Sequence, residues 1–228
     1  MVNALPNLEN LTPEGVQDRW IKASWDGYVK LTSNRAYESG RCYYDNGWMR
    51  IEMSPLGPLH GRENSIVSTL VSLFTALKNF RSAELTNTSF RRQGVREGQP
   101  DIAFYLEPNA EADSGAPFRL PPRGNSPVDV DEFGAPQLVV EIASTSLDDD
   151  LGRKRLLYER LGVREYWVVD VNAREVLAFE VQDGGSRQIR VSQVLVGLDM
   201  ALVEEALCRS ETQDDGEINR WLIQVFSG

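Results

Sequence analysis

A chain of 228 residues, 41% of them apolar, can bury one substantial core, and no run approaches the roughly 20 consecutive apolar residues of a membrane span. The formal net charge of −10 argues against loose, charge-driven binding to nucleic acid. Two cysteines far apart, Cys42 and Cys208, and the single histidine His60 exclude a cysteine- or histidine-built zinc centre, so any metal would be held by oxygen, as magnesium, manganese and calcium are.

Residues 1–40 read as an N-terminal arm, with a short helix over PEGVQDRW capped by Thr12 and entered at Pro13. MVNALPNLENLTPEG has neither the basic start nor the apolar centre of a signal peptide, so a cytoplasmic location is expected. RCYYDNGWMRIEM predicts a hairpin around Asp45-Asn46-Gly47, broken by Ser54-Pro55-Leu56-Gly57-Pro58. From about Arg62 to Asn79 the stripe Ile66, Leu70, Leu73, Phe74, Leu77 predicts a helix, with Glu63 on the same stripe. Residues 84–92 and 100–106 read as strands. Residues 107–136, rich in Pro, Gly, Asp and Glu, read as a long surface insertion.

The second half is denser. LVVEIA predicts a strand and DLGRKRLLYERLG a helix closed by Gly162. EYWVVDV and EVLAFEV read as strands joined by a turn at Asn172-Ala173, with RQIRV a further strand. Residues from about 192 to 228 read as a C-terminal extension ending in a short packed helix or strand with Trp221, Leu222, Val225 and Phe226. This order predicts a single domain over 1–228, with a mixed α+β fold: a central mixed β-sheet flanked by helices.

Three residues stand out chemically. Asp101 follows Pro100, which cannot donate to a sheet ladder, so its carboxylate falls at the start of a strand. Glu141 lies within the apolar run LVVEIA, where an unpaired carboxylate costs several kcal/mol. Two carboxylates on neighbouring strands repel unless a cation separates them, which a divalent ion or a Lys or Arg would satisfy. Lys154 lies between Leu157 and Leu161 on the helical wheel, so it points toward the sheet with the apolar face. There it either stabilises negative charge on a phosphate or forms a buried pair with Glu141. Basic runs RRQGVR and RKRLLYERLGVR flank these positions.

Pro100-Asp101 followed by a Glu in an apolar strand resembles the PD-(D/E)XK nuclease superfamily. More specifically, the chain resembles the Uma-two family of restriction endonuclease-like proteins, classed as a domain of unknown function. The likeness runs from about Cys42 to Val181. It rests on DNGWMRIEMSP, His60, Gln99 to Ala103, Val140 to Ser144, the series Asp150, Lys154, Tyr158, and Gly162 to Trp167. The resemblance implies a restriction endonuclease-like core and hydrolysis of DNA with Mg²⁺ or Mn²⁺. Asp101 and Glu141 would then be metal ligands, with the Ile142 carbonyl a third, and Lys154 would act on the phosphate or the water. It gives Ser144, Asp150 and Tyr158 supporting roles around them, and brings His60 and Glu63 within reach of the pocket. For His60 a capping role is the alternative, and for Glu63 a structural one. Double-strand cleavage would suit a homodimer, and no membrane association is expected.

Two departures bear on this. The superfamily lysine two positions after the Glu is Ala143 here, so the resemblance assigns that role to Lys154. The family's usual Ser-Pro-Ser is Ser144-Thr145-Ser146. The second reading is therefore an endonuclease-like fold that binds nucleic acid or supports assembly without catalysis. A serine hydrolase is disfavoured, since no G-x-S-x-G is present.

Overall fold

The computed structural model describes residues 17–53, 57–108 and 117–228. Residues 54–56 of the expected breaker and the first half of the expected helix over PEGVQDRW lie outside these residues. The part of that segment that is described forms no helix: Gln17 makes an isolated bridge to Ile51, and a turn follows. The arm instead contributes a two-residue strand, β1 (Ile21–Lys22), and a helix, α1 (Trp25–Thr32), whose N-cap Ser24 accepts from the Gly27 amide.

The hairpin strands are β2 (Arg41–Asp45) and β3 (Trp48–Glu52). Asn46 and Gly47 carry φ of +44° and +92°, the left-handed conformations that a two-residue hairpin turn requires. Helix α2 (Pro58–Leu77) begins earlier than the apolar stripe indicated, with Pro58 in its first turn, so His60 also becomes helical. The expected strand 84–92 is two strands, β4 (Arg81–Thr86) and β5 (Phe90–Arg92), separated at Asn87 with φ +48°. Strands β6 (Arg96–Gly98) and β7 (Ile102–Glu107) follow.

Of the expected surface insertion, residues 109–116 lie outside the described residues. Its later part is structured: β8 (Val128–Asp129) pairs with β5 and leads into the short helix α3 (Val130–Phe133), with Val128 and Val130 buried. Strand β9 (Leu138–Ala143) precedes a compound helix: α4 (Leu147–Asp149), a π-helical stretch Asp150–Lys154, and α5 (Arg155–Leu161). Gly162 ends it at φ +102°, as a left-handed cap. Strands β10 (Glu165–Asp170), β11 (Glu175–Gln182) and β12 (Gly185–Ile189) complete the sheets. The tail is helical, α6 (Met200–Arg209) and α7 (Asp215–Ser227), the latter opened by an Asp214–Glu217 capping box.

The fold is mixed α+β, with two six-stranded mixed sheets, β12-β11-β10-β9-β7-β4 and β1-β3-β2-β6-β5-β8. In the first, β9 and β10 run parallel and the other pairs antiparallel. All six residues of β9 are buried, as expected of a strand covered on both faces. Leu138, Val140 and Ile142 join a core with α2, α6 and α7, while Val139 and Ala143 join a second core with α5, Tyr43 and Phe90. Alternation therefore turns Glu141 toward the second interior, between the two sheets.

Candidate active site between the two sheets

Strand register sets the carboxylates side by side. Ile102 pairs with Val140 in the antiparallel β7–β9 ladder, so Asp101, one residue earlier, stands next to Glu141. Asp101 Oδ2 accepts from the Ile142 amide at 2.8 Å. The second sheet faces them with alternate residues of the hairpin. Arg41 pairs with Glu52 and Tyr43 with Arg50, and all four sit on the inward face, while Cys42, Tyr44, Met49 and Ile51 pack behind them against α1. Gly98 permits the close approach of β6 to α5, since a Cβ there would stand 2.8 Å from Tyr158 Cε1 and 2.9 Å from Leu157 Cδ2.

Helix geometry delivers the amine. Lys154 and Asp150 bound the π-helical stretch, a widening often found at functional sites, and their side chains meet at 2.8 Å. Lys154 Nζ is also 2.8 Å from Glu52 Oε1 and 3.9 Å from Glu141 Oε2, and it lies 4.5 Å from the Tyr43 ring centroid. The Tyr158 hydroxyl donates to Glu141 Oε1 at 2.8 Å, and Ser146 Oγ donates to Asp150 Oδ2 at 2.6 Å. Tyr166 stacks on Tyr158 and donates to the Asp150 carbonyl at 2.9 Å, which ties the widened turn to the sheet.

One cation lies between the two carboxylates. Arg41 Nη1 is 2.5 Å from Asp101 Oδ1 and 3.8 Å from Glu141 Oε2, and its Nη2 is 3.1 Å from Glu52 Oε2. His60 Nε2 approaches Asp101 Oδ1 at 3.3 Å. The resulting electrostatics divide the carboxylates. Burial pushes Asp101 up, but His60, Arg41 and the Ile142 amide outweigh it and hold the carboxyl below its ordinary range. Burial pushes Glu141 well above the ordinary range; Lys154 and Arg41 offset this in part, while Asp101 and Asp150 add to it. Burial opposes the charge on Lys154, yet Glu141, Asp150 and Glu52 together hold the amine above its ordinary value.

Of the residues singled out in the sequence, Asp101, Glu141, Lys154, Asp150, Tyr158 and His60 thus converge in one buried cluster. Glu63 does not: it accepts from Ser210 Oγ at 2.9 Å and ties α2 to the end of α6. Ser144 is half-buried beyond the end of β9, where its carbonyl accepts from Asn172; the hydroxyl on Asp150 is that of Ser146. Arg41, Tyr43, Arg50 and Glu52 were not anticipated. Charged residues alternating with apolar ones, as in MRIE, are ordinary in a hairpin with one face in solvent, and only the packing of the two sheets turns that face inward.

Similarity to known proteins bears on the same region. The model of the Uma2 family, described as "Putative restriction endonuclease", matches residues 25–210 and so contains every residue of this cluster. A crystal structure "of a putative nuclease belonging to DUF820 from Anabaena variabilis ATCC 29413" superposes with a TM-score of 0.50 at 17% identity, covering 88% of this chain and 99% of that one. At that identity the likeness is one of fold. No curated protein matches the sequence significantly.

Proposed function

The chain belongs to the Uma2 family, and on that footing we propose that it is a metal-dependent endonuclease hydrolysing DNA phosphodiester bonds, with Asp101, Glu141 and Lys154 as its catalytic residues. The observation that carries this reading is the convergence of Asp101 Oδ1 and Glu141 Oε2 on a single cationic nitrogen, with the Lys154 amine 3.9 Å from Glu141. Two carboxylate oxygens aimed at one positive charge fit Mg²⁺ or Mn²⁺. Magnesium takes one or two carboxylates and completes its shell with water and phosphate oxygens.

Asp101 and Glu141 would hold the ion, with the Ile142 carbonyl beside them. When bound, the ion would activate water and offset charge on the phosphate. The chain's own groups then have distinct tasks. Lys154, kept charged by Glu52 and Asp150, donates to a phosphate oxygen as negative charge grows there. Tyr158 fixes Glu141 Oε1 and leaves Oε2 directed at the cation. His60 and the Ile142 amide orient Asp101. The reading is completed by a homodimer acting on duplex DNA in the cytoplasm; separately, among the described residues no helix is long and apolar enough to cross a membrane.

The second reading, a fold that binds nucleic acid or assembles without catalysis, draws on Arg41, which already neutralises the carboxylates, and on Ala143 two residues after Glu141. Plasmid cleavage with Mg²⁺ or Mn²⁺ separates the two. The nuclease reading expects the parent to cut and Glu141→Ala and Lys154→Ala each to lose at least about 100-fold, in line with removal of one transition-state contact. Equal cutting by all three would mark contamination. No cutting by the parent, together with no rise in its melting temperature on adding Mn²⁺, would favour the silent fold.

A further inference from the structure

A cavity of 220 Å³ opens beside this centre, lined by Trp20, Asp45, Trp48, Arg153, Leu156 and Arg160. Direct contacts join the two. Arg153 immediately precedes Lys154. Trp20 Nε1 donates to Asp149 Oδ1 at 3.0 Å, and Asp149 Oδ2 is 2.8 Å from Arg50. Arg50 in turn donates to Glu52 at 3.0 Å, the carboxylate that holds Lys154.

The cavity's wall has an unusual cation. The exposed Arg153 guanidinium lies 4.5 Å from the Trp48 ring centroid and 5.5 Å from that of Trp20. Among the described residues no carboxylate pairs with it within salt-bridge distance, whereas Arg160 and Arg96 share the two oxygens of Asp45, at 2.7 Å each. The lining carries Arg153 and Arg160 against the single acid Asp45, on a chain of net charge −10. The Arg153 guanidinium lies over two indole rings, one of which, Trp48, also has Lys22 Nζ at 5.5 Å from its centroid, and its N–H fork has no carboxylate partner, an arrangement suited to oxygens of a phosphate. Indole and guanidinium planes are also the surfaces on which unstacked bases lie. Leu156, 37% exposed at the rim, supplies an apolar edge.

We propose that this cavity is a nucleotide subsite flanking the scissile bond, in which Arg153, held against Trp48 and Trp20, takes the oxygens of a neighbouring phosphate with its N–H fork and an unstacked base on its outer face. The proposal rests on the nuclease reading for the position of the scissile bond, while the subsite's own contacts involve no metal. The test is therefore made in EDTA, where cleavage is absent. Fluorescence anisotropy of a labelled single-stranded 12-mer measures its affinity for the full-length parent, Arg153→Ala, Arg153→Lys, Leu156→Glu and, as a remote control, Arg187→Ala. Melting curves establish that each variant is folded.

Arg153→Ala is expected to weaken binding about 10-fold or more, Arg153→Lys by less, and Arg187→Ala not at all. Leu156→Glu, which places a negative charge at the exposed rim, is expected to weaken binding as well, and it carries the test if Arg153→Ala does not fold. Equal affinity for the parent, Arg153→Ala and Leu156→Glu would overturn the subsite, as would a parent that binds no 12-mer. Either result leaves the nuclease reading to be judged separately by plasmid cleavage. If Arg153 only pins the helix to the hairpin, Arg153→Ala lowers the melting temperature and leaves affinity unchanged, which also overturns the proposal.

Discussion

Glu52 is the clearest case of a single side chain holding the cluster together. It contacts Lys154 at 2.8 Å, Arg50 at 3.0 Å and Arg41 at 3.1 Å while 7% exposed. Burial pushes its carboxyl up, but Lys154, Arg41 and Arg50 outweigh this and hold it below the ordinary range. A carboxylate whose pKa falls on folding contributes stability above its unfolded value, and that contribution is lost as pH drops through the lower folded value. Glu52→Gln should therefore cost about 3 kcal/mol at pH 7 in urea unfolding, because it leaves buried cations underpaired. The gap between variant and parent should narrow below about pH 4.5; a gap that widens in acid would contradict this assignment. Arg41→Ala makes the complementary prediction. It should lower the melting temperature of the metal-free protein yet enlarge the rise caused by Mn²⁺, since Arg41 and the ion compete for Asp101 and Glu141. An unchanged Mn²⁺ shift would argue against that competition. Asp101, Glu141 and Lys154 could be picked out in the sequence because each breaks a local pattern: a strand entry, an apolar run, an apolar helix stripe. Arg41 and Glu52 break none, since each is an ordinary hairpin residue until the second sheet folds over the first.

At the scale of elements, the approach of β6 to α5 fixes how far Tyr158 reaches. Gly98→Ala would place a Cβ within 3 Å of both Leu157 and Tyr158, so the Leu157 tip and the Tyr158 ring, or the helix that carries them, must give way. About 1–3 kcal/mol of destabilisation is expected, typical of overpacking, read as a lower urea midpoint with unchanged m-value. An unaltered midpoint would show that the helix yields freely. The long apolar segments were legible because periodicity sets them: β9, β10, β11 and the body of α2 all lie where their patterns put them. The division of 84–92 was not, because β4 and β5 differ only in which sheet they join, and the turn rests on one left-handed residue, Asn87. Nor was the π-helical stretch Asp150–Lys154, since i→i+4 periodicity carries no sign of one widened turn.

Across the whole molecule, the C-terminal segment is part of the core and not an appendage. Leu195, Met200, Val203, Leu207, Ile218, Leu222 and Phe226 share one apolar cluster with α2 and the first sheet, and Phe226 meets Phe74 edge to face at 5.2 Å. Phe226→Ala should cost about 3–4 kcal/mol in chemical denaturation, as for other large aromatics removed from a core; a loss under about 1 kcal/mol would mean that this end of α7 frays in solution. The sequence marked this tail as packed but not what it packs against, because the partner, α2, is more than 120 residues earlier. The same core supports α2 from behind while His60, in its first turn, meets Asp101 at 3.3 Å. Global stability and the geometry of the cluster are thus coupled through one helix.

The central claim is that Asp101 and Glu141 share a divalent cation. A crystal structure of the protein with Mn²⁺, read by anomalous scattering, tests it most directly. The account predicts one peak in contact with Asp101 Oδ1 and Glu141 Oε2, with the Arg41 guanidinium moved off both and Lys154 still held by Glu52 and Asp150. No peak at saturating Mn²⁺, with Arg41 still bridging the two carboxylates, would contradict it.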